Sequence, residues 1–276
     1  LVASSGASEN DLSNLTLAGD RVLVTDYSAG LRIFDISGLP ALPELTGLNT
    51  GVNNTLWVDL MDQYAVISGW DGGLQVLDVS DRQHPIPVGS MLTTQSVPNT
   101  LTVEGSYAYL ANFDLGMTVV DLTDPTAPVE VGYYDSEFNN TTHLDVTGDY
   151  AYLADGDALR VVDISDPTAP VLAGEYFPTD GRSVWHVIVA PSTDPDITTP
   201  VAYLIEQGTD TVGPLLRMID ISDPTSPVAY PEFADLQDGF PTGLAVLGQY
   251  VYISYNDGFR RLEIFDAVDI SAPFEV

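Results

Sequence analysis

The sequence predicts an all-β fold: a single six-bladed β-propeller of four-stranded antiparallel blades that takes up residues 1–276. Three observations predict it. Successive copies of one motif lie 43, 43, 42, 57 and 46 residues apart. The chain contains 23 Gly and 19 Pro, which favour many turns over long helices, and 45% hydrophobic residues, enough for a buried core. The copies are LRIFDIS, LQVLDVS, MTVVDLT, LRVVDIS, LRMIDIS and LEIFDAV, with the aspartate at Asp35, Asp78, Asp121, Asp163, Asp220 and Asp266.

Each repeat predicts four strands, most clearly over Thr142–Tyr176, where THLDV, GDYAYLADGDA, LRVVDIS and DPTAPVLAGEY follow one another. Turns rich in Gly and Asp, such as Asp155-Gly156-Asp157, join the second and third strands and suit hairpins that need positive φ. The third strand is apolar on both faces, as expected of a sheet packed between neighbours. The repeats span approximately 13–50, 54–94, 99–137, 142–179, 183–234 and 242–276.

The segment after the third strand reads Asp-Pro-Thr-Ala-Pro at 124–128 and 166–170, and Asp-Pro-Thr-Ser-Pro at 223–227. Proline fixes φ and lacks an N–H, so this segment should end the third strand and deliver the fourth. The motif aspartate, for example Asp163, is expected to accept hydrogen bonds from turn amides. Six acids at repeat positions therefore indicate a role in folding rather than in catalysis.

The segment Leu159–Tyr176, LRVVDISDPTAPVLAGEY, resembles the consensus of the LVIVD-repeat propellers, and the resemblance covers nearly the whole chain. It implies a secreted or cell-surface protein of bacteria or archaea, often one module of a larger surface protein. It implies no particular chemistry. The first repeat departs from the pattern at Gly38-Leu39-Pro40 and the last at Ala267-Val268-Asp269.

Both chain ends match a fourth strand. Leu1–Ser4 aligns with Glu130–Tyr133, and Ala272–Val276 matches the start of the same strand. Residues 1–5 are therefore expected to help close the last blade within the molecule. The alternative is a surplus strand that pairs with another copy, because unpaired strand edges are sites for strand addition.

Composition narrows the classes of partner. The net charge is −32, from 40 acidic residues against 8 arginines and no lysine, so nucleic acids and anionic membranes are disfavoured. No cysteine is present, and no apolar run suffices to span a bilayer, so direct membrane insertion is not expected. The first residue is Leu, which suggests a processed or excised piece. Candidate glycosylation sequons begin at Asn14, Asn53, Asn139 and Asn140.

The loops between second and third strands are expected to share one face of the propeller with the connections between blades. Together they would form a rim on that face. Acids interleaved with aromatic side chains suit calcium, the one cofactor suggested, and a stacked sugar, although ordinary turn chemistry gives the same composition. The fifth repeat adds insertions at 191–200 and 206–213, which build a binding face or are neutral loop growth. The ligand candidates are Tyr27, Trp70, Phe113, Phe138 and Phe259; the metal candidates are Asp71, Asp114, Asp155, Asp157, Asp194, Asp196, Asp210 and Asp257, with Asp180 and Glu206 nearby.

Two histidines fall at equivalent first-strand positions of adjacent repeats. His143 and His186 are expected to line the central channel, where Asn14, Thr55, Thr100 and Gly243 stand in the other repeats. With Asp145 they could hold a transition metal; channel-wall histidines with satisfied hydrogen bonds are the alternative.

The sequence favours an extracellular or cell-surface structural or interaction module that binds a surface protein, a glycan or copies of itself. A calcium-dependent carbohydrate-binding protein and a polysaccharide-active hydrolase or lyase are the alternatives. No catalytic residue can be assigned, because no nucleophile elbow, metal signature or spaced acid pair appears. An enzyme is therefore the less favoured reading.

Overall fold

The computed structural model describes residues 12–27, 30–38, 43–48, 55–70, 73–81, 83–93, 98–137, 140–192, 197, 199–209, 212–236, 239–255, 261–268 and 274–275. They form six four-stranded antiparallel sheets, one for each repeat, in which strands pair in chain order. No helix occurs among these residues, so none is long and apolar enough to cross a membrane. The predicted blade architecture is confirmed.

The chain falls into two compact units, 1–133 and 134–276, with a boundary inside the twelfth strand. Each unit is described by itself. The strands of the first three blades are β1 (Leu12–Ala18), β2 (Arg21–Asp26), β3 (Gly30–Asp35), β4 (Glu44–Leu48), β5 (Thr55–Met61), β6 (Tyr64–Gly69), β7 (Gly73–Asp78), β8 (Ile86–Leu92), β9 (Pro98–Glu104), β10 (Tyr107–Asn112), β11 (Gly116–Asp121) and β12 (Val129–Asp135).

The strands of the last three blades are β13 (Thr141–Thr147), β14 (Tyr150–Asp155), β15 (Ala158–Asp163), β16 (Val171–Tyr176), β17 (Ser183–Pro191), β18 (Pro200–Gln207), β19 (Leu215–Asp220), β20 (Val228–Asp235), β21 (Pro241–Leu247), β22 (Tyr250–Tyr255), β23 (Leu262–Asp266) and β24 (Phe274–Glu275).

Apolar side chains between neighbouring blades form the core. In the first unit, Leu31 and Ile33 of blade 1 pack with Ile67 of blade 2. In the second unit, Val161 packs with Leu204, both fully buried. The third strand of blade 2 is buried on both faces, because Leu77 packs with blade 1 and Val76 packs with blade 3. This explains the nearly continuous apolar runs of the motif.

Every first strand carries a β-bulge at the same place, where its register with the second strand shifts by one residue. A bulge bends the strand and turns the neighbouring side chains onto new faces. Its extra residue is Ser13, Leu56, Asn99, Thr142, Trp185 or Thr242, in blade order. The residue after the bulge in blade 2 is Trp57, so the expected equivalence of Thr55 with His143 is wrong.

Side chains at the bulges connect adjacent blades. The Ser13 hydroxyl donates to the Thr55 carbonyl at 3.0 Å, and the Thr142 hydroxyl donates to the Trp185 carbonyl at 2.6 Å. Carboxylates further along the strand do the same: Asp59 accepts the Val103 amide at 2.8 Å. Burial raises the pKa of Asp59, because the charged form loses water in this position.

The motif aspartates cap the turns that follow, as expected. Each carboxylate accepts the amide two residues on, for example Ser165 N to Asp163 at 2.9 Å. In the Asp-Pro-Thr turns, Asp166 accepts both the amide and the hydroxyl of Thr168. The pKa of Asp163 and of Asp166 is lowered, because the bonds from Ser165 and Thr168 favour the ionised form.

A glycine in the fourth strand lies against the Asp-Pro-Thr turn of the next blade. A Cβ on Gly174 would lie 2.4 Å from the Pro224 carbonyl oxygen, and one on Gly89 would lie 2.2 Å from the Pro125 carbonyl oxygen. Both obstacles are backbone atoms, which move only with the turn. The repeated glycine is thus set by close packing between blades.

The last blade gains its fourth strand from the carboxyl-terminal segment. Phe274 pairs with Asp266 and Glu275 with Phe265, which places β24 beside β23. Residues 1–5 lie outside the described residues, so their expected part in closing this blade stays a prediction.

We expect Gly174→Ala to destabilise the fold by about 1–3 kcal/mol, because the added methyl group displaces the backbone at Pro224. Gly38→Ala is the matched control, since nothing lies within 4 Å of its Cβ position. Urea unfolding of both variants measures the difference. Equal midpoints for Gly174→Ala and wild type would contradict the packing.

Candidate functional site

Charged side chains are buried inside blades, at a position that the apolar pattern of the third strand conceals. Arg160 is only 2% exposed, and its guanidinium contacts Asp155 at 2.5 Å, Asp157 at 2.9 Å and Glu175 at 3.2 Å. Asp155 also accepts the Thr141 hydroxyl at 2.6 Å. The expectation of a third strand apolar on both faces is therefore wrong at this position, because carboxylates neutralise the buried cation.

Two other blades repeat the arrangement. Arg32 lies 3.5 Å from the buried Asp26, and Arg217 lies 3.4 Å from the buried Glu206. Burial raises the pKa of Glu206, and the nearby Arg217 lowers it again in part. A buried charge that loses its partner is costly, so these pairs restrict which side chains the second and third strands accept.

The two predicted histidines meet at the junction of blades 4 and 5. The rings of His143 and His186 stack with centroids 3.6 Å apart, and both residues are less than 8% exposed. Burial lowers the pKa of His186 to about 3, and burial together with His186 holds the pKa of His143 well below its usual value. Both rings are therefore neutral near pH 7.

Asp145, the third member of the predicted metal site, is bonded to backbone amides. It accepts Val146 N and Val189 N, each at 2.8 Å. Within the described residues, no three His, Asp or Glu side chains are grouped to hold a metal ion. The predicted calcium and transition-metal sites stay predictions. Several of the predicted calcium ligands lie outside the described residues.

A broad recess of about 590 Å³, here called the main recess, opens in the second unit. Trp185 and Phe240 form an aromatic pair in it, with ring centroids 5.3 Å apart at 77°. Among the residues that the structure describes, its lining contains no charged side chain; these lining residues are Asn140, Ser183, Trp185, Gln207, Gly208, Thr209, Val212, Gly213, Pro214, Gly239 and Phe240.

The fifth repeat's insertion builds one wall of the main recess. Gly208 permits a tight turn, since a Cβ there would lie 2.2 Å from the Val212 carbonyl oxygen. Thr209 N donates to the same carbonyl at 2.8 Å. Gln207 donates its side-chain amide to the Pro241 carbonyl at 3.2 Å, which joins this wall to blade 6.

A smaller recess of about 400 Å³, here called the side recess, shares Asn140 and Ser183 with the main recess. Its remaining lining is Asp155, Gly156, Asp157, Pro178, Gly181 and Arg182. Gly156 has φ of 65°, as expected for its hairpin, and its carbonyl accepts Val184 N at 2.6 Å.

The described rim residues divide into two groups: some lie in turns outside the two recesses, and two line the side recess. Trp70 and Phe113 are 55% and 46% exposed, and Tyr27 and Asp114 are in the corresponding turns of other blades. Asp155 and Asp157 line the side recess and bind Arg160. Outside the described residues lie Phe138, Phe259, Asp71, Asp194, Asp196, Asp210, Asp257, Asn53 and Asn139.

Two predicted glycosylation sites are described. The Asn14 side-chain oxygen accepts Val58 N at 3.2 Å within the first unit. Asn140 is half-buried and forms the wall between the two recesses. Glycan attachment at these residues stays a prediction.

Sequence analysis missed Trp185 and Phe240, because they lie in a first strand and a connection between blades. The bulge carries the available signal: Trp185 is an aromatic residue at a position where the other repeats have Ser13, Leu56, Asn99, Thr142 and Thr242. The insertion at 206–213 was singled out, and its described residues line the main recess.

Comparison with known proteins shows the family and the fold. A family model described as LVIVD repeat matches residues 55–93, 99–136, 140–177, 215–233 and 238–275, more than half of the chain. None of the curated proteins matches the chain.

Solved structures resemble it at low sequence identity. A putative 6-phosphogluconolactonase from Bacteroides fragilis has a TM-score of 0.73 at 14% identity, over 96% of this chain and 79% of that one. A functionally unknown protein from Desulfotomaculum acetoxidans has a TM-score of 0.71 at 12% identity, over 94% and 83%. The Cps50 (Swd1) beta-propeller domain of Myceliophteria thermophila has a TM-score of 0.68 at 13% identity, over 98% and 86%. These likenesses show the fold alone and confirm the six-bladed β-propeller.

We expect Arg160→Met to lower the free energy of unfolding by about 3–5 kcal/mol, because Asp155 stays buried without its cation. The double variant with Asp155→Ala should lose less than the sum of the two single variants, since the unpaired charge is then gone. Denaturant unfolding of all three variants measures this coupling. Additive losses would contradict it.

The histidine pair predicts a loss of stability in acid. Unfolded histidine takes up a proton below about pH 6.5, whereas the buried rings resist protonation down to about pH 3 for His186. The free energy of unfolding should therefore fall as the pH decreases below about 6.5. Each of the two histidines contributes a slope of up to about 1.4 kcal/mol per pH unit.

The double variant His143→Asn with His186→Thr, which copies Asn14 and Thr100, should flatten this slope between about pH 6.5 and 5. His84→Asn is the control, because His84 is exposed on a turn. Parallel slopes for wild type and the double variant would refute a titration at the pair.

Proposed function

The chain belongs to the family built from LVIVD repeats, and on that premise we propose that it is an extracellular or cell-surface interaction module that binds a neutral glycan in the main recess. A propeller of such repeats is a general scaffold for interaction or structure. The location outside the cell rests on the resemblance described above.

The Trp185–Phe240 pair at the main recess carries the proposal. Aromatic rings stack on the C–H faces of sugars, and the amides of Gln207 and Asn140 with the Ser183 hydroxyl offer donors and acceptors for sugar hydroxyls. Gln207 donates one N–H to Pro241, which fixes the orientation of its amide. Rigid aromatic and polar groups of this kind lose little entropy on binding.

The charges of the site favour a neutral ligand. The described residues that line the main recess carry no charge, and the chain carries −32. A polyanionic glycan would meet a repulsive field, and this described lining holds no cation to offset it. A neutral polysaccharide carries no charge and therefore does not experience this repulsion.

Affinity electrophoresis in gels that contain galactomannan, xyloglucan, mixed-linkage β-glucan or glycol chitin tests the proposal. At least one of these neutral polysaccharides should retard the protein. Trp185→Ala should weaken that retardation roughly tenfold or more, as expected when an aromatic anchor is removed.

Trp70→Ala is the matched control, because Trp70 is an exposed tryptophan of the predicted rim outside the main recess. Its retardation should equal that of wild type. If Trp70→Ala weakens the retardation and Trp185→Ala does not, the glycan binds at the rim. If none of the gels retards the wild-type protein, the proposal is wrong.

Two further measurements distinguish the proposal from the two alternatives that the sequence leaves open. Retardation lost with EDTA and restored by calcium would identify a calcium-dependent carbohydrate-binding protein. New reducing ends or unsaturated products released from the polysaccharide would identify a hydrolase or a lyase. The proposal expects neither.

A further inference from the structure

The main recess and the side recess are adjacent on the surface. Asn140 and Ser183 line both of them, so the two spaces adjoin at these residues. Both recesses lie within the second unit, between the turns of blades 4 and 5 and the connection that leads into blade 6. A ligand longer than the main recess therefore has a continuation beside it.

A buried arginine fixes the two recesses relative to each other. Arg182 is 8% exposed and lines the side recess, and its Nε–H donates to the Gly213 carbonyl in the wall of the main recess at 2.9 Å. Its Nη1 donates to Asp180, which comes from the same connection between β16 and β17. One planar guanidinium thus joins that connection to the fifth repeat's insertion, an arrangement that lysine cannot reproduce.

The two spaces differ in chemistry. The main recess offers the Trp185–Phe240 pair, whereas the side recess offers Asp157, Arg182 and the backbone at Gly156 and Gly181, and its described lining has no aromatic ring. Asp157 is 37% exposed and engages Arg160 through one carboxylate oxygen, Oδ1. The side recess is therefore suited to hydrogen bonds with hydroxyl groups rather than to stacking.

We infer that the main and side recesses form one extended cleft that binds an internal stretch of a glycan chain, with one sugar stacked on Trp185 and later sugars hydrogen-bonded in the side recess. Arg182 is the positioning residue of this cleft. The inference rests on the proposed function and adds the length of chain that the site recognises.

Calorimetric titration with a trisaccharide and a hexasaccharide cut from the retarding polysaccharide tests it. Wild type should bind the hexasaccharide roughly tenfold or more tightly than the trisaccharide, because the longer chain reaches both recesses. Asp157→Ala should reduce this ratio while the affinity for the trisaccharide stays unchanged. Asp155 and Glu175 still neutralise Arg160 in that variant, which keeps it folded.

Arg182→Met should also reduce the ratio, through loss of the alignment rather than of a ligand contact. A merely structural role would lower the affinity for both oligosaccharides together and would lower Tm, so thermal unfolding is recorded for each variant. Arg32→Met, which breaks an ion pair in the first unit, is the control and should leave the ratio at its wild-type value.

The outcomes separate this inference from the function on which it rests. Equal affinities of wild type for the two oligosaccharides would overturn the extended cleft and leave glycan binding in the main recess intact. A ratio unchanged in both Asp157→Ala and Arg182→Met would also overturn it. Failure of every polysaccharide in the preceding electrophoresis would overturn the proposed function itself.

Discussion

One extra residue in the first strand of every blade shapes both the packing and the surface of this protein. Beyond the bulge, side chains change face relative to a regular strand. In blades 4 and 5 this brings His143 onto His186 and lets the Thr142 hydroxyl reach the Trp185 carbonyl. The same hydrogen bond holds the strand from which Trp185 enters the main recess. The same β-bulge therefore affects both the packing between blades and the position of Trp185 in the main recess.

The elements that depend on local chemistry could be predicted from the sequence. The motif aspartates bind the next turn's amides whatever the neighbouring blade does, and prolines end the third strand for covalent reasons. The bulge is different, because a shift of one residue leaves the repeat length unchanged. The alignment of Thr55 with His143 has another cause: it departs from the constant spacing of 43 residues (57−14, 100−57 and 143−100), which already gives Trp57. Hydrophobic periodicity shows that a strand is buried and says little about its register.

The site was predictable only in part, for a related reason. An insertion interrupts the repeat and is visible in the spacing, so the wall at Gly208 and Val212 was within reach of sequence analysis. Trp185 and Phe240 come from different blades, and their contact depends on how those blades pack. The sequence predicts Asp155 as a metal ligand, yet its carboxylate pairs with Arg160 inside the blade. Sequence shows that an acid is present; only packing shows which cation it faces.

The distribution of arginine bears on the electrostatic field around the main recess, whose described lining carries no charge. Arg32, Arg160 and Arg217 lie inside blades against buried carboxylates, where desolvation would otherwise make those acids costly. The other five of the 8 arginines (8−3=5) are too few to offset 40 acidic residues, so the field of the chain stays negative. The lining of the main recess keeps amides, hydroxyls and rings instead. On the proposed function, selectivity for a neutral ligand would follow from where these cations lie: they stabilise the blades, and the negative field that they leave uncompensated would repel anions from the main recess.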